Sequence, residues 1–216
     1  VFDGFVFRDS AVDQASYNGG ALLINGQTSA SAVRNCVFVN NKTTGVGGGL
    51  WLRGRYGVSS NLVFRANRAA TGGGAAIYGD NDMHTLRDSV FSDNEATGHC
   101  GGLHVPSHRL DLFGVAFLNN KAALDGGGLG TFTGSGNGYN VTLNATRCRF
   151  VNNTARSGAA LGNNHFKGPT ITLENCLVVG NTATNTTGYV VLGAGSDSGG
   201  HVTLRHTTIA DNTAPG

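Results

Sequence analysis

Four cysteines, seven histidines and thirteen carboxylates are the reactive side chains of this 216-residue chain, and few of them converge. Cys148 and Cys176 align in consecutive copies of a repeating phrase, a placement that fits either a disulfide or two stacked buried thiols. Cys36 shares their alignment several copies away, and Cys100 lies in a glycine run. No Cys-x-x-Cys occurs and no cysteine–histidine pairing has zinc spacing, so no metal site and no cofactor is expected. Asp80-Asn81-Asp82 carries oxygens of the kind that hold Ca²⁺, but reads more simply as a solvated turn. Glycoside hydrolysis needs two carboxylates on one face, ~5–9.5 Å apart. Asp93 and Asp211 share an alignment but fall several copies apart. His84, His99, His104, His108, His165, His201 and His206 share none.

Binding chemistry is better represented. Trp51, Ile77 and His104 align on consecutive copies, with Arg53 two residues beyond Trp51. An exposed indole beside a guanidinium stacks on a sugar ring or docks a partner; a neighbouring domain or long loop over Trp51 accounts for it equally well. Trp51, Arg53 and His104 are therefore the expected ligand-binding residues. Five N-x-S/T sequons occur, at Asn41, Asn140, Asn144, Asn152 and Asn185. In a eukaryotic source Asn140, Asn144 and Asn185 are expected loop positions for glycans.

The elements that must position these groups are set by a repeat. Phe38-Val39-Asn40-Asn41 returns as Phe64-Arg65-Ala66-Asn67, Phe91-Ser92-Asp93-Asn94, Phe117-Leu118-Asn119-Asn120 and Phe150-Val151-Asn152-Asn153. Weaker copies end at Asn181 and Asn212, so Asn41, Asn67, Asn94, Asn120, Asn153, Asn181 and Asn212 recur 26 to 33 residues apart. A glycine-rich element follows most copies, as in Gly47-Gly48-Gly49-Leu50 and Gly126-Gly127-Gly128-Leu129. One asparagine would mean only a turn. Seven in register point to a buried ladder, because a carboxamide donates on one side and accepts on the other. On that reading Asn41 is not a glycan site.

A unit of this length without 3.6-residue periodicity is not a helical repeat. Short β-prone runs broken by Gly, Asn and Asp imply strands that stack on their counterparts in the next unit, ~4.8 Å away. The expected fold is all-β: a right-handed single-stranded parallel β-helix, pectate-lyase-like, of seven to eight coils with three short strands each. Residues 1–216 form one such domain, read as a segment of a longer chain. Lys42, Arg68, Glu95 and Lys121, one residue past the ladder, read as a solvated ridge whose exposed pairs contribute ~0–1 kcal/mol each.

Composition agrees. Thirty-five glycines and 13% charged residues depart from globular averages of about 7% Gly and 25% charge. No apolar run approaches the ~18 residues of a membrane span. A net charge of +2 gives no basic footprint for nucleic acid.

The FxxN element at Phe38, Phe64, Phe91, Phe117 and Phe150, followed by GGA(I/L/V) as in Gly19-Gly20-Ala21-Leu22, resembles the repeat of the chlamydial polymorphic outer membrane proteins. The resemblance implies a passenger β-helix on the cell surface that acts in adhesion. Two functions follow as expectations. The first is a non-catalytic extracellular adhesin or a subunit of an appendage or filament. Its partners are glycans or host and extracellular-matrix proteins, and flanking domains or neighbouring subunits cover its open coil ends. The second is a carbohydrate-binding or carbohydrate-active protein of the polysaccharide lyase or hydrolase kind.

Overall fold

Each repeat lays down four strands. Val33–Arg34, Val37–Val39, Lys42–Thr43 and Leu50–Gly54 make one winding; Val58–Ser60, Val63–Arg65, Arg68–Ala69 and Ala75–Tyr78 make the next. In the computed structural model, which describes residues 1–13, 18–26, 31–54, 57–78, 83–106, 109–131, 141–163, 169–185, 189, 192–193 and 201–215, every strand pairs in parallel with its counterpart one winding away. The result is an all-β parallel β-solenoid, with no helix among the described residues. Two sheets are eight strands deep and two are seven. The first and last windings are largely exposed, and the body amounts to about six turns rather than seven to eight.

The expected three strands per coil are also corrected to four. The additional strand is the third: Lys42–Thr43, Arg68–Ala69, Glu95–Ala96 and Lys121–Ala122. It is two residues long, too short to show any alternation. Its backbone still pairs, with Arg68 N–H donating to Asn41 O at 2.8 Å and Glu95 N–H to Asn67 O at 2.9 Å. The charged ridge of the sequence is thus the outward face of a sheet.

Three corners per winding use left-handed backbone. One holds Asn35, Asn61, Asp88 and Asn175 at φ 48–53°; a second holds Asn40, Asp93, Asn119 and Asn152 at φ 53–57°. Asn and Asp tolerate this region better than other side-chain-bearing residues. The third opens the glycine run. There a Cβ on Gly47 (φ 77°) would lie 2.4 Å from the Leu50 carbonyl oxygen, so glycine is required. Among the described residues Cys100 is the one residue with a side chain at this corner, at φ 63°.

The interior is built from columns of like residues. Phe7, Phe38, Phe64, Phe91, Phe117 and Phe150 stack with ring centroids 4.6–5.1 Å apart and planes within 15°. Leu86, Leu112, Ala145 and Leu173 align on the adjoining sheet. Parallel register forces the stacked ring geometry, and the dry column gives dispersion and area burial in return.

Candidate functional site

The ladder is the most complete polar arrangement among the described residues. Asn41 Nδ2 donates to Asn67 Oδ1 at 3.0 Å, Asn67 to Asn94 at 3.0 Å, Asn94 to Asn120 at 2.9 Å, Asn120 to Asn153 at 3.0 Å, Asn153 to Asn181 at 2.9 Å and Asn181 to Asn212 at 2.9 Å. The second Nδ2 proton goes to a carbonyl one winding back, from Asn67 to Phe38 O and from Asn94 to Phe64 O, both at 3.0 Å. Each Oδ1 also accepts the backbone N–H of the preceding asparagine, as from Asn41 N to Asn67 at 3.0 Å. Both donors and both lone pairs are used, which is what allows a carboxamide to be buried to 0–1% exposure from Asn41 to Asn181. Asn41 is sequestered here, as the ladder reading requires.

The proposed binding face differs from its expectation. Trp51 pairs with Ala76, and Ala76 with His104; Ile77 pairs with Leu52 and points into the core. The misalignment comes from counting Ala75 with the glycine run, when it is the counterpart of Leu50. Trp51 and His104 do share a column, but they are 8% and 6% exposed, so neither is an open platform. Tyr78, which the alignment missed, lies in register with Arg53. It joins the two aromatics: its ring is 5.2 Å from Trp51 and edge-on to His104 at 5.8 Å. Burial pushes the Tyr78 phenol up, against a smaller opposing pull from the Trp51 indole.

A second cluster escaped the sequence reading. His99 Nδ1 and Arg156 Nη2 both lie 3.3 Å from Asp125 Oδ2. Burial alone would raise the Asp125 carboxyl; the hydrogen bond from His99 and the charge of Arg156 outweigh it and hold it below its ordinary value. The carboxylate sits between an imidazole and a guanidinium. Neighbouring Cys100 is fully buried, and burial plus the Asp125 charge push its thiol well up, the reverse of an activated cysteine. The available signal was positional: His99 and Asp125 each precede the left-handed residue that opens the glycine corner, and Arg156 lies one position earlier, beside Ser157.

His84 faces inward. It is 2% exposed, its Nε2 is 3.3 Å from Ser59 Oγ, and its Nδ1 has no partner among the described residues. Burial lowers its pKa to about 4. On the outward face of the first sheet, Asp111 takes Arg109 at 3.3 Å and the Asn144 amide at 2.8 Å. The sequon nitrogen of Asn144 is therefore already engaged. Asn185 is half-buried. Asn140, His108, His165 and the Asp80-Asn81-Asp82 turn lie outside the described residues.

Cys148 and Cys176 are free thiols stacked in one column, so the disulfide alternative is not the form seen. No group of three or more His, Cys, Asp or Glu among the described residues is placed to hold a metal ion. A groove of about 370 Å³ lies beside the third sheet, lined by Val12, Asp13, Lys42, Thr43, Thr44, Arg68, Ala69, Ala70 and Thr97. Lys42 and Arg68 are register partners, and Arg68 reaches Glu95 at 3.7 Å across an exposed pair. Compared with family models, with curated proteins and with solved structures, the chain gives no match.

Proposed function

We propose that the chain is a non-catalytic structural and adhesive module of an extracellular or cell-surface protein, an adhesin or a subunit of an appendage or filament. We also propose that it winds in the right-handed, pectate-lyase-like sense. The observation that carries this reading is the contrast within each winding. Inward and corner positions repeat, as in the phenylalanine stack and the asparagine ladder. Outward positions change from coil to coil, as in Lys42, Arg68, Glu95 and Lys121. A rigid rod with a freely varied exterior is suited to displaying surfaces. The likeness of the FxxN and GGA(I/L/V) elements to the chlamydial surface-protein repeat supports the same placement. Glycans or host and matrix proteins would meet the outward faces; flanking domains or neighbouring subunits would cover the exposed end windings.

The groove beside Lys42 and Arg68 favours a second reading, a carbohydrate-active protein that takes acidic sugars. Pull-down on immobilised polysaccharides and matrix proteins, run beside an assay for reducing or unsaturated ends, separates the two. Binding without turnover is the expected result. Turnover that is lost in Arg68→Ala would replace the first reading with the second.

A further inference from the structure

The inner corner between the first and second sheets carries its own polar column, in which a side chain donates to the carbonyl two residues before it. Ser89 Oγ donates to Arg87 O at 2.7 Å, and Thr207 Oγ1 to Arg205 O at 3.0 Å. The sulfurs of Cys148 and Cys176 sit likewise against Thr146 O at 3.4 Å and Glu174 O at 3.3 Å. These two cysteines are the only column members that are both thiols on adjacent windings. The strands around them are in register, Thr146 opposite Glu174 and Arg149 opposite Leu177. Their Cα atoms are thus about one strand spacing apart, ~4.8 Å, inside the range that a disulfide spans.

We propose that Cys148 and Cys176 form a redox-active pair, oxidised by peroxide, that closes into a disulfide clasp between consecutive windings. The chemistry balances as follows. The Cys176 thiolate attacks one peroxide oxygen, the O–O bond breaks, hydroxide leaves, and a sulfenic acid remains on Cys176. The Cys148 sulfur then attacks the Cys176 sulfur. The S–O bond breaks, the Cys148 proton leaves with the oxygen as water, and the S–S bond forms. Two thiols are oxidised and one peroxide is reduced to two waters.

Cys176 is the attacking member for two reasons. It is 4% exposed, whereas Cys148 is 0% exposed, and peroxide is scarcely larger than water. The Cys148 thiol also lies beside the Cys176 sulfur as a donor, drawing the Cys176 thiol down while its own is pushed up. Cys36 and Cys100 have no such neighbour. Cys36 stacks against the windings of Phe5 and Leu62, and Cys100 lies at the glycine corner.

The test treats the intact chain with hydrogen peroxide at neutral pH, then alkylates under denaturing conditions and counts blocked thiols by mass. The expected result is that two of the four cysteines become unavailable, that peptide mapping joins Cys148 to Cys176, and that dithiothreitol restores all four. The oxidised form should melt at a higher temperature than the reduced one. Cys148→Ser should leave a sulfenic acid on Cys176 that dimedone traps, and Cys176→Ser should leave Cys148 unmodified. Serine keeps the fold, because Ser89 already occupies this column. Four alkylated cysteines after peroxide, or a link through Cys36 or Cys100, would overturn the proposal.

Discussion

Two columns run parallel along this solenoid and follow opposite rules. At the corner after each phenylalanine strand stands asparagine, winding after winding, each bonded to the copy above and the copy below. On the outward face of the third sheet stand Lys42, Arg68, Glu95, Lys121 and Thr154 in succession, each beside a residue unlike itself. A residue whose partner is its own kind cannot be varied alone; a residue that meets a different neighbour each time can. Repetition therefore marks architecture, and variation marks the surface on which function can be written.

The largest effect should come from interrupting the ladder. Asn94→Ala removes four side-chain hydrogen bonds, two donated by Nδ2 and two accepted by Oδ1. It strands buried groups on Asn67, Phe64 and Asn120. At about 1–3 kcal/mol for each orphaned buried group, the loss should reach about 5 kcal/mol, comparable with the whole stability of many domains. Denaturant titration would show this as a collapsed midpoint or an unfolded chain. A loss under about 1 kcal/mol would mean that the ladder is ornamental and that the contrast between the two columns is empty.

Phe91→Ala comes next. It opens a gap between Phe64 and Phe117 in a column with rings 4.6–5.1 Å apart, and a truncated core Phe costs about 3–5 kcal/mol. Phe91→Leu should cost much less, since Val178 and Ile209 already continue that column by register. Thermal unfolding of the two variants beside the parent would rank them.

Both of those columns could be read from the sequence, because each is fixed by one residue type at one place in every copy. The third sheet could not, since two-residue strands such as Arg68–Ala69 carry no period. Nor could the state of Trp51. Its position on an outward face follows from alternation, but its 8% exposure depends on what lies over the sheet, which no local pattern records. The register of Tyr78 was lost for a smaller reason, an alanine taken for part of a glycine element. His99, Asp125 and Arg156 lie 26 to 31 residues apart and meet only once the winding is known.

His84 belongs to neither rule, being a buried imidazole beside the Ser59 hydroxyl, and it makes the interior sensitive to acid. Its pKa falls from 6.5 to about 4 on folding, so the folded state resists the proton that the unfolded chain accepts. Stability is fully present above pH 6.5 and is lost as pH falls towards 4. At 1.36 kcal/mol per pKa unit the loss amounts to about 3 kcal/mol. The stability of His84→Leu, followed by denaturant titration from pH 7 to 4, should fall less steeply than the parent's by that amount. Identical slopes would mean that His84 finds a partner for its proton inside the fold.

The smallest effect on stability is expected at Arg68, and it tests the outward side of the contrast most directly. Arg68 stands on the third sheet between Lys42 and Glu95, and its contact with Glu95 is 3.7 Å long with about half of each side chain in solvent. Exposed pairs of that kind contribute ~0–1 kcal/mol, and the buried neighbour that holds the sheet is Ala69, not Arg68. Arg68→Ala should therefore move the unfolding midpoint by less than about 0.5 kcal/mol, about a tenth of the ladder effect one residue away at Asn67. The same substitution removes one of the two cations lining the groove, so retention on an acidic polysaccharide should drop while the fold is untouched. A variant that unfolds early would place Arg68 among the architectural positions. One that keeps both its stability and its retention would move the binding surface to another face of the rod.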